Sequence, residues 1–221
     1  VTRGTVDEYQ EVLARHHQLS DTLADLHLEV PGNTVVPGVC RQILPQTMRS
    51  VVTAIRQRRQ LLASYVSLSR PEAAETVIEP HTLLSCGNEW HVRAWCNANR
   101  EYRDFALSRF HTAPRVQVQK SKRTAEQDED WQRTVTLVIT PDHRLGEAQQ
   151  QVIARDFGMD TGRLEIRTRA ALAPYVLRQM GINLENSHPD PLVQQLELAN
   201  PDQLGFGSPR ERALKAVAGL S

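Results

Sequence analysis

Cysteine is scarce in this chain. Cys40, Cys86 and Cys96 are the only three among 221 residues, and no two have a CxxC spacing. That excludes a disulfide scaffold and fits a reduced, cytoplasmic protein. No run of eighteen apolar residues occurs, so no helical membrane span is expected, and the first residues, VTRGTVDEYQ, lack the apolar core of a signal peptide. Net charge is absent too: 26 basic and 26 acidic residues cancel to +0, with a pI near 7.2. Such a chain has no global pull toward nucleic acid, and an anion site has to be a local patch. Nucleophile elbow, P-loop, dinucleotide fingerprint and His-Glu-x-x-His zinc motif are all missing. Carboxylates crowd only at residues 126–130, a run that repels itself rather than holding a substrate. His81, His91 and Ser67 lack a legible orienting carboxylate and oxyanion hole. His16-His17 are neighbours that point to different helix faces, so a metal site is not expected. The expectation is a protein that is not an enzyme and has no cofactor.

What is present centres on residues 79–110. Gly87-Asn88 separates two strand-like runs, as a two-residue hairpin turn does, and Asn97-Ala98-Asn99 supplies a second turn. A third strand is predicted over 101–107. Alternation puts Trp90, Val92, Ala94 and Cys96 on an apolar face, and His91, Arg93 and Trp95 on the other. Arg103, Phe105, Leu107 and Arg109 share one face of the third strand, with Asp104 opposite and suited to a structural pairing. Cys86 and Cys96 read as a facing pair or as buried free thiols. Residues 61–69 read as a strand with Tyr65, Ser67 and Ser69 on one face, either a half-site for an anion or an exposed edge with polar residues outward. Each arginine is either a phosphate ligand or a salt-bridge partner. Trp95, near Arg93, can stack a base or a guanidinium.

Around this centre, residues 6–30 have helical periodicity, 31–45 are Pro- and Gly-rich, and 46–59 are helical again. Arg56, Arg58 and Arg59 close that helix, as phosphate contacts or as a solvated helix end. Residues 111–119 hold one more short strand. Residues 120–130 pass from basic to acidic and read as a mobile, solvated connection. Beyond it, strands over 131–140, 163–169 and 191–200 alternate with helices over 145–157 and 170–180, a small α/β sandwich.

Three runs occur in order: Pro80-His81, then Gly87-x-x-Trp90-His91-x-Arg93-Ala94-Trp95-Cys96, then Tyr102-Arg103-Asp104-Phe105-x-Leu107-Ser108-Arg109. They resemble the WYL domain, and most closely the WYL transcription regulators that accompany phage-defence islands of the BREX and CBASS kind. His91 stands where the name-giving Tyr would be. The resemblance implies an α+β chain: a helical linker or dimerisation segment (1–45), a small SH3/Sm-like β-barrel (46–119), a linker (120–130), a WCX extension (131–204) and a tail (205–221). Relatives line one pocket with a Tyr-x-Ser-x-Ser strand, a histidine and arginines. That makes Tyr65, Ser67, Ser69, His81, His91, Arg93, Arg103 and Arg109 the expected ligand-binding set. Glu75-Thr76 departs from the basic residue that many relatives carry there.

The resemblance further implies the ligand-sensing and dimerisation part of a bacterial transcription regulator. A nucleotide or oligonucleotide would be sensed, and DNA read by a winged helix-turn-helix that is not legible in this chain. A homodimer is expected. The alternatives are a stand-alone single-stranded nucleic-acid-binding protein and a protein-partner-binding module. In the sensor reading, the imidazole and guanidinium groups converge in one concave spot, and Arg93→Ala abolishes ligand binding without unfolding the chain.

Overall fold

Pro45 opens the first helix of the computed structural model, which describes residues 41–68, 71–86, 89–184 and 186–204. All of them belong to one unit of the chain. The fixed φ of proline suits a first helical turn, where no amide donor is needed. Helix α1 (Pro45–Gln57) buries Val51 and Ala54 completely, with Met48 and Ile55 packed beside them. It ends earlier than the predicted Arg59 because Arg58 turns into the left-handed region, φ 50° and ψ 56°.

Five strands follow: β1 (Arg59–Tyr65), β2 (Ala74–Cys86), β3 (Glu89–Cys96), β4 (Glu101–Ala106) and β5 (Arg115–Lys120). They form one antiparallel sheet in the order β4-β3-β2-β1-β5. Cys86 pairs with Glu89, a register that leaves room for a two-residue turn, although Gly87-Asn88 lie outside the described residues. The edges β4 and β5 do not pair, so the sheet is open. This corrects the closed barrel expected from the resemblance, since closure requires the two edges to join. One face packs on α1 through Leu61, Ala63, Tyr65, Ile78, Val92, Ala94, Cys96 and Phe105.

Two strand ends are corrected as well. β1 stops at Tyr65 rather than Ser69. The alternation over 61–69 therefore breaks off before Ser67, and Leu68 is 78% exposed. β4 stops at Ala106, and Leu107–Arg109 is a short 3-10 turn. Cys96 is buried and Cys86 half-buried, and both are free thiols.

The second part is a three-stranded antiparallel sheet in the order β7-β6-β8: β6 (Thr134–Pro141), β7 (Leu164–Arg169) and β8 (Leu196–Leu198). Residues 120–130 precede it, and they are not the solvated connection expected from their charge. Backbone amides of Lys122 and Arg123 donate to the buried Glu79 carboxylate at 2.5 and 2.8 Å. A capping box at Thr124 and Gln127 closes a 3-10 turn over Ala125–Gln127. Asp128, 1% exposed, then caps helix α2 (Glu129–Gln132) through the Trp131 amide. Trp131 is thus helical, and β6 begins three residues later than predicted. Helix α3 (Glu147–Asp156) is ended by Gly158 at φ 64°. Helix α4 (Ala173–Gln179) takes Pro174 in its first turn. Leu137, Ile139, Ala173 and Leu177 lie at the centre of this second core.

The helical readings over 6–30, the Pro-rich stretch to residue 40, Ser69 and the tail after residue 204 lie outside the described residues. Among the described residues no helix is long and apolar enough to cross a membrane.

Candidate functional site

Pro80 has no amide to give to a strand ladder, and β2 bulges just after it. Pro80 faces Ala94 and Thr82 faces Arg93, so His81 is the extra residue. A bulge re-aims a side chain, and here it turns His81 toward the face that carries Arg93. His81 Nε2 lies 3.2 Å from Asp128, and Nδ1 lies 2.8 Å from the Thr82 hydroxyl. An ionised carboxylate can only accept, so Nε2 carries the proton. Arg93 donates to both Asp128 oxygens, from Nε at 2.7 Å and Nη2 at 3.0 Å, and from Nη1 to Asp104 at 3.3 Å. The second Asp104 oxygen accepts from the Tyr175 hydroxyl at 2.9 Å. One guanidinium thereby ties β3 to β4, to the α2 cap and, through Asp104, to α4.

These groups are almost dry: His91, Arg93 and Asp128 are 1%, 6% and 1% exposed. Burial alone would raise the Asp128 pKa, but hydrogen bonds from His81 and Arg93 hold it at about 2. Burial works against the Arg93 charge, and the two aspartates more than restore it. Burial raises Asp104, against the pull of Arg93, and raises Tyr175, which Asp104 pushes further. The Tyr175 phenol therefore stays a donor.

The sequence-predicted residues fall into two groups. His91 and Arg93 lie on the face joined by His81. Tyr65 and Arg103 lie on the opposite face, the one covered by α1, since paired residues share a face and Arg103 pairs with Ala94. Arg103 holds Glu101 at 3.1 Å. Arg109 sits in the turn after β4 with Nη1 buried and without a hydrogen-bond partner. Burial dominates the raised Tyr65 pKa and the lowered His91 pKa, and the charge of Arg109 lowers both. Arg109 therefore stands within electrostatic reach of each group at this end of the sheet. Ser67 has its own interaction, and Ser69 lies outside the described residues.

The Tyr65 hydroxyl is already committed, accepting the Ala106 amide at 3.0 Å, with Phe105 and Phe110 edge-on to its ring. Tyr65→Phe is expected to cost about 1–3 kcal/mol, because a buried amide loses its acceptor. Urea unfolding of the variant checks this, and a change under half a kcal/mol would remove the hydroxyl from the fold's support.

Residues 46–114 match the WYL domain, and residues 134–204 match the BrxR transcriptional regulator C-terminal dimerization domain. The chain thus carries a WYL domain followed by a dimerization domain of the BrxR type. It is similar to the DNA-binding transcriptional repressor CapW of Pseudomonas aeruginosa, 34% identical over 169 residues, covering 76% of this chain and 56% of that protein. CapW of Stenotrophomonas maltophilia is 33% identical, covering 79% and 58%. The chain thus spans little more than half the length of the curated relatives it matches. Among solved structures, Proteasome accessory factor B/C (PafBC) of Arthrobacter aurescens covers 89% of this chain and 34% of its own at 19% identity, with a weak TM-score of 0.33.

Among the described residues, α4 of the dimerization domain reaches the charged groups of the WYL sheet. Tyr175 bonds Asp104 and lies 5.3 Å from the His91 ring, while Arg178 reaches Glu89 at 3.6 Å. Sequence reading missed Asp128 and Tyr175, whose partners lie 35 and 71 residues away. It also missed Arg123, which supplies the guanidinium stacked 4.3 Å from the centre of the Trp95 ring. Asp142, His143 and Glu197 bring ligand atoms within 4.8 Å of one another in the dimerization domain. Arg144 clasps both Asp142 oxygens, at 2.9 and 2.6 Å, so that carboxylate is already neutralised.

Proposed function

We propose that this chain is the sensing and dimerisation part of a DNA-binding transcriptional repressor, and that its WYL domain receives a nucleotide or nucleic-acid ligand. The observation that carries the reading is the domain pair itself. A WYL domain followed by a BrxR-type dimerization domain is the stretch that aligns with CapW repressors at 34% identity. In this reading two copies join through residues 134–204, DNA is read by a separate part of the dimer, and the role of the WYL domain is binding rather than catalysis.

The ligand set is narrowed to His81, His91, Arg93 and Arg109, entered from the Arg109 end, where Nη1 has no partner; Tyr65 and Arg103 face α1 on the other side of the sheet and do not share it. Arg93 and His81 are held by Asp128, so a phosphate that reaches them displaces that carboxylate. The exchange loosens the tie from sheet to α4. It thereby favours one of two dimer states, in proportion to the ligand's differential affinity.

Calorimetric titration of the 221-residue chain with nucleoside phosphates and with cyclic and linear oligonucleotides tests the site. One ligand class is expected to bind, and Arg109→Gln to weaken it about tenfold, the loss of one charge-assisted contact. Failure of the unaltered chain to bind any phosphorylated ligand would sink the sensor reading. Sedimentation checks the dimer separately, with a homodimer expected at micromolar concentration.

A further inference from the structure

The end of α1 holds a basic concavity that the ligand set does not use. It is open to solvent, has a volume of about 490 Å³ and is lined by Arg56, Gln57, Arg58, Arg59, Lys120 and Ser121. Four of the six are cations and none is an acid, in a chain whose net charge is +0. An irregular register makes the hollow. Between its pairs with Leu61 and Arg59, β5 carries two residues more than β1 and bows outward. Arg59 Nη1 caps the displaced carbonyls of Gln117 and Val118 at 3.2 and 3.3 Å, and Lys120 caps the Gln57 carbonyl at 3.0 Å.

Two further observations set this hollow apart from a solvated helix end. Arg59 Nε and Ser121 Oγ are buried there without a hydrogen-bond partner, and buried polar groups in folded proteins nearly always have one. Arg58 is left-handed, at φ 50°, in the helix-ending position where glycine is the low-cost residue. A strained non-glycine residue persists where something other than local stability selects it. Here the residue retained is a cation that lines the hollow.

We infer that this hollow is a docking site for the phosphodiester backbone of a nucleic acid. Open shape and flexible cations suit a backbone that passes across the surface more than an enclosed nucleotide. Arginine forks match phosphate oxygens, and a small shift of Arg59 gives its Nε the acceptor it lacks. The negative end of the α1 dipole opposes the anion, and Glu126 lies within electrostatic reach of Arg58. The site is therefore weak, sequence-blind and sensitive to salt.

The test measures fluorescence anisotropy of labelled 20-nucleotide single strands and duplexes of random sequence with the full chain, from low to moderate salt. Arg56→Gln with Arg58→Gln is expected to weaken binding about tenfold and to flatten the slope of log affinity against log salt by about 1–2, as expected for two lost phosphate contacts. Both side chains are exposed, so the fold should persist. Arg58→Gly should bind more weakly yet melt roughly 2 °C higher, because the left-handed strain is relieved. The same double variant should leave the calorimetric titration with nucleoside phosphates unchanged, because neither residue belongs to the sensor set, which keeps the hollow distinct from that site. Unchanged affinity and slope in the double variant overturn the inference. Pyrophosphate is titrated in parallel as a small-anion probe, and a double variant that loses pyrophosphate while keeping its nucleic-acid binding overturns the inference in favour of a small-anion site. Single strands and duplexes compared side by side show which form the hollow accepts.

Discussion

Arg93→Ala is expected to remove about 3–5 kcal/mol of folding stability, the range for breaking a buried ion pair by deleting one partner. The size follows from what remains behind. Asp128, 1% exposed, would lose two of its donors, and Asp104 would lose the one countercharge that lies within hydrogen-bonding distance of it among the described residues. Arg93 thus supports the fold as well as being placed to serve a ligand, so the effect of this substitution on ligand binding has to be read beside its effect on stability. A neutral replacement at both ends should behave differently, since Arg93→Met with Asp128→Asn leaves no buried charge unpaired in that contact and keeps the α2 cap. Urea unfolding of the two single variants and the double variant should return a coupling of about 2 kcal/mol. Strictly additive losses would mean that Arg93 acts through packing alone. The same measurement bears on function, because a ligand that displaces Asp128 must compensate most of that coupling.

The fold was largely legible because its strands follow a period of two and its punctuation is local. The pairing of β2 with β3, the alternation of Val92, Ala94 and Cys96 against His91 and Arg93, and the glycine after α3 each depend on residues close in sequence. The site was less legible for a physical reason. Which charge neutralises Arg93 depends on a partner 35 residues away, in a run whose acidity looked like solvation. Asp128 gave one local clue, its position as a cap three residues before Trp131, and the apolar surroundings that bury it are not encoded nearby. Tyr65 and Ser67 do not share a strand face because β1 stops at Tyr65, whose hydroxyl holds the Ala106 amide. Neither this stop nor the single extra residue at His81 has a signature beyond the proline that precedes the bulge.

Stability should fall on the order of 3 kcal/mol between pH 6.5 and pH 4, and His91 is the group responsible. Burial pushes its pKa down from 6.5 to about 4, with Glu89 pulling upward and Arg178, Arg109 and Arg41 adding to the fall. Its Nδ1 has no partner, and Nε2 is 3.5 Å from Glu89, too long to anchor a charged ring firmly. Between the two values the unfolded chain binds a proton that the folded chain refuses, so stability rises with pH across this window and is fully present above 6.5. A shift of that size corresponds to about 3 kcal/mol. Asp128 acts with the same sign lower down: its contribution is complete above the ordinary carboxylate range and is lost as pH falls toward about 2. The two windows meet near pH 4 and are separable by substitution. His91→Leu should flatten the decline from pH 6.5 to 4 while leaving the acid loss below it, and Asp128→Asn should do the reverse. Urea titrations at pH 7, 5.5, 4.5 and 3 distinguish them. An undiminished decline in His91→Leu would transfer the upper window to another group. His91 touches the Tyr175 ring of α4, so protonating it would place a charge at the contact between the WYL sheet and the dimerization domain. Acid should loosen that contact before it unfolds either core.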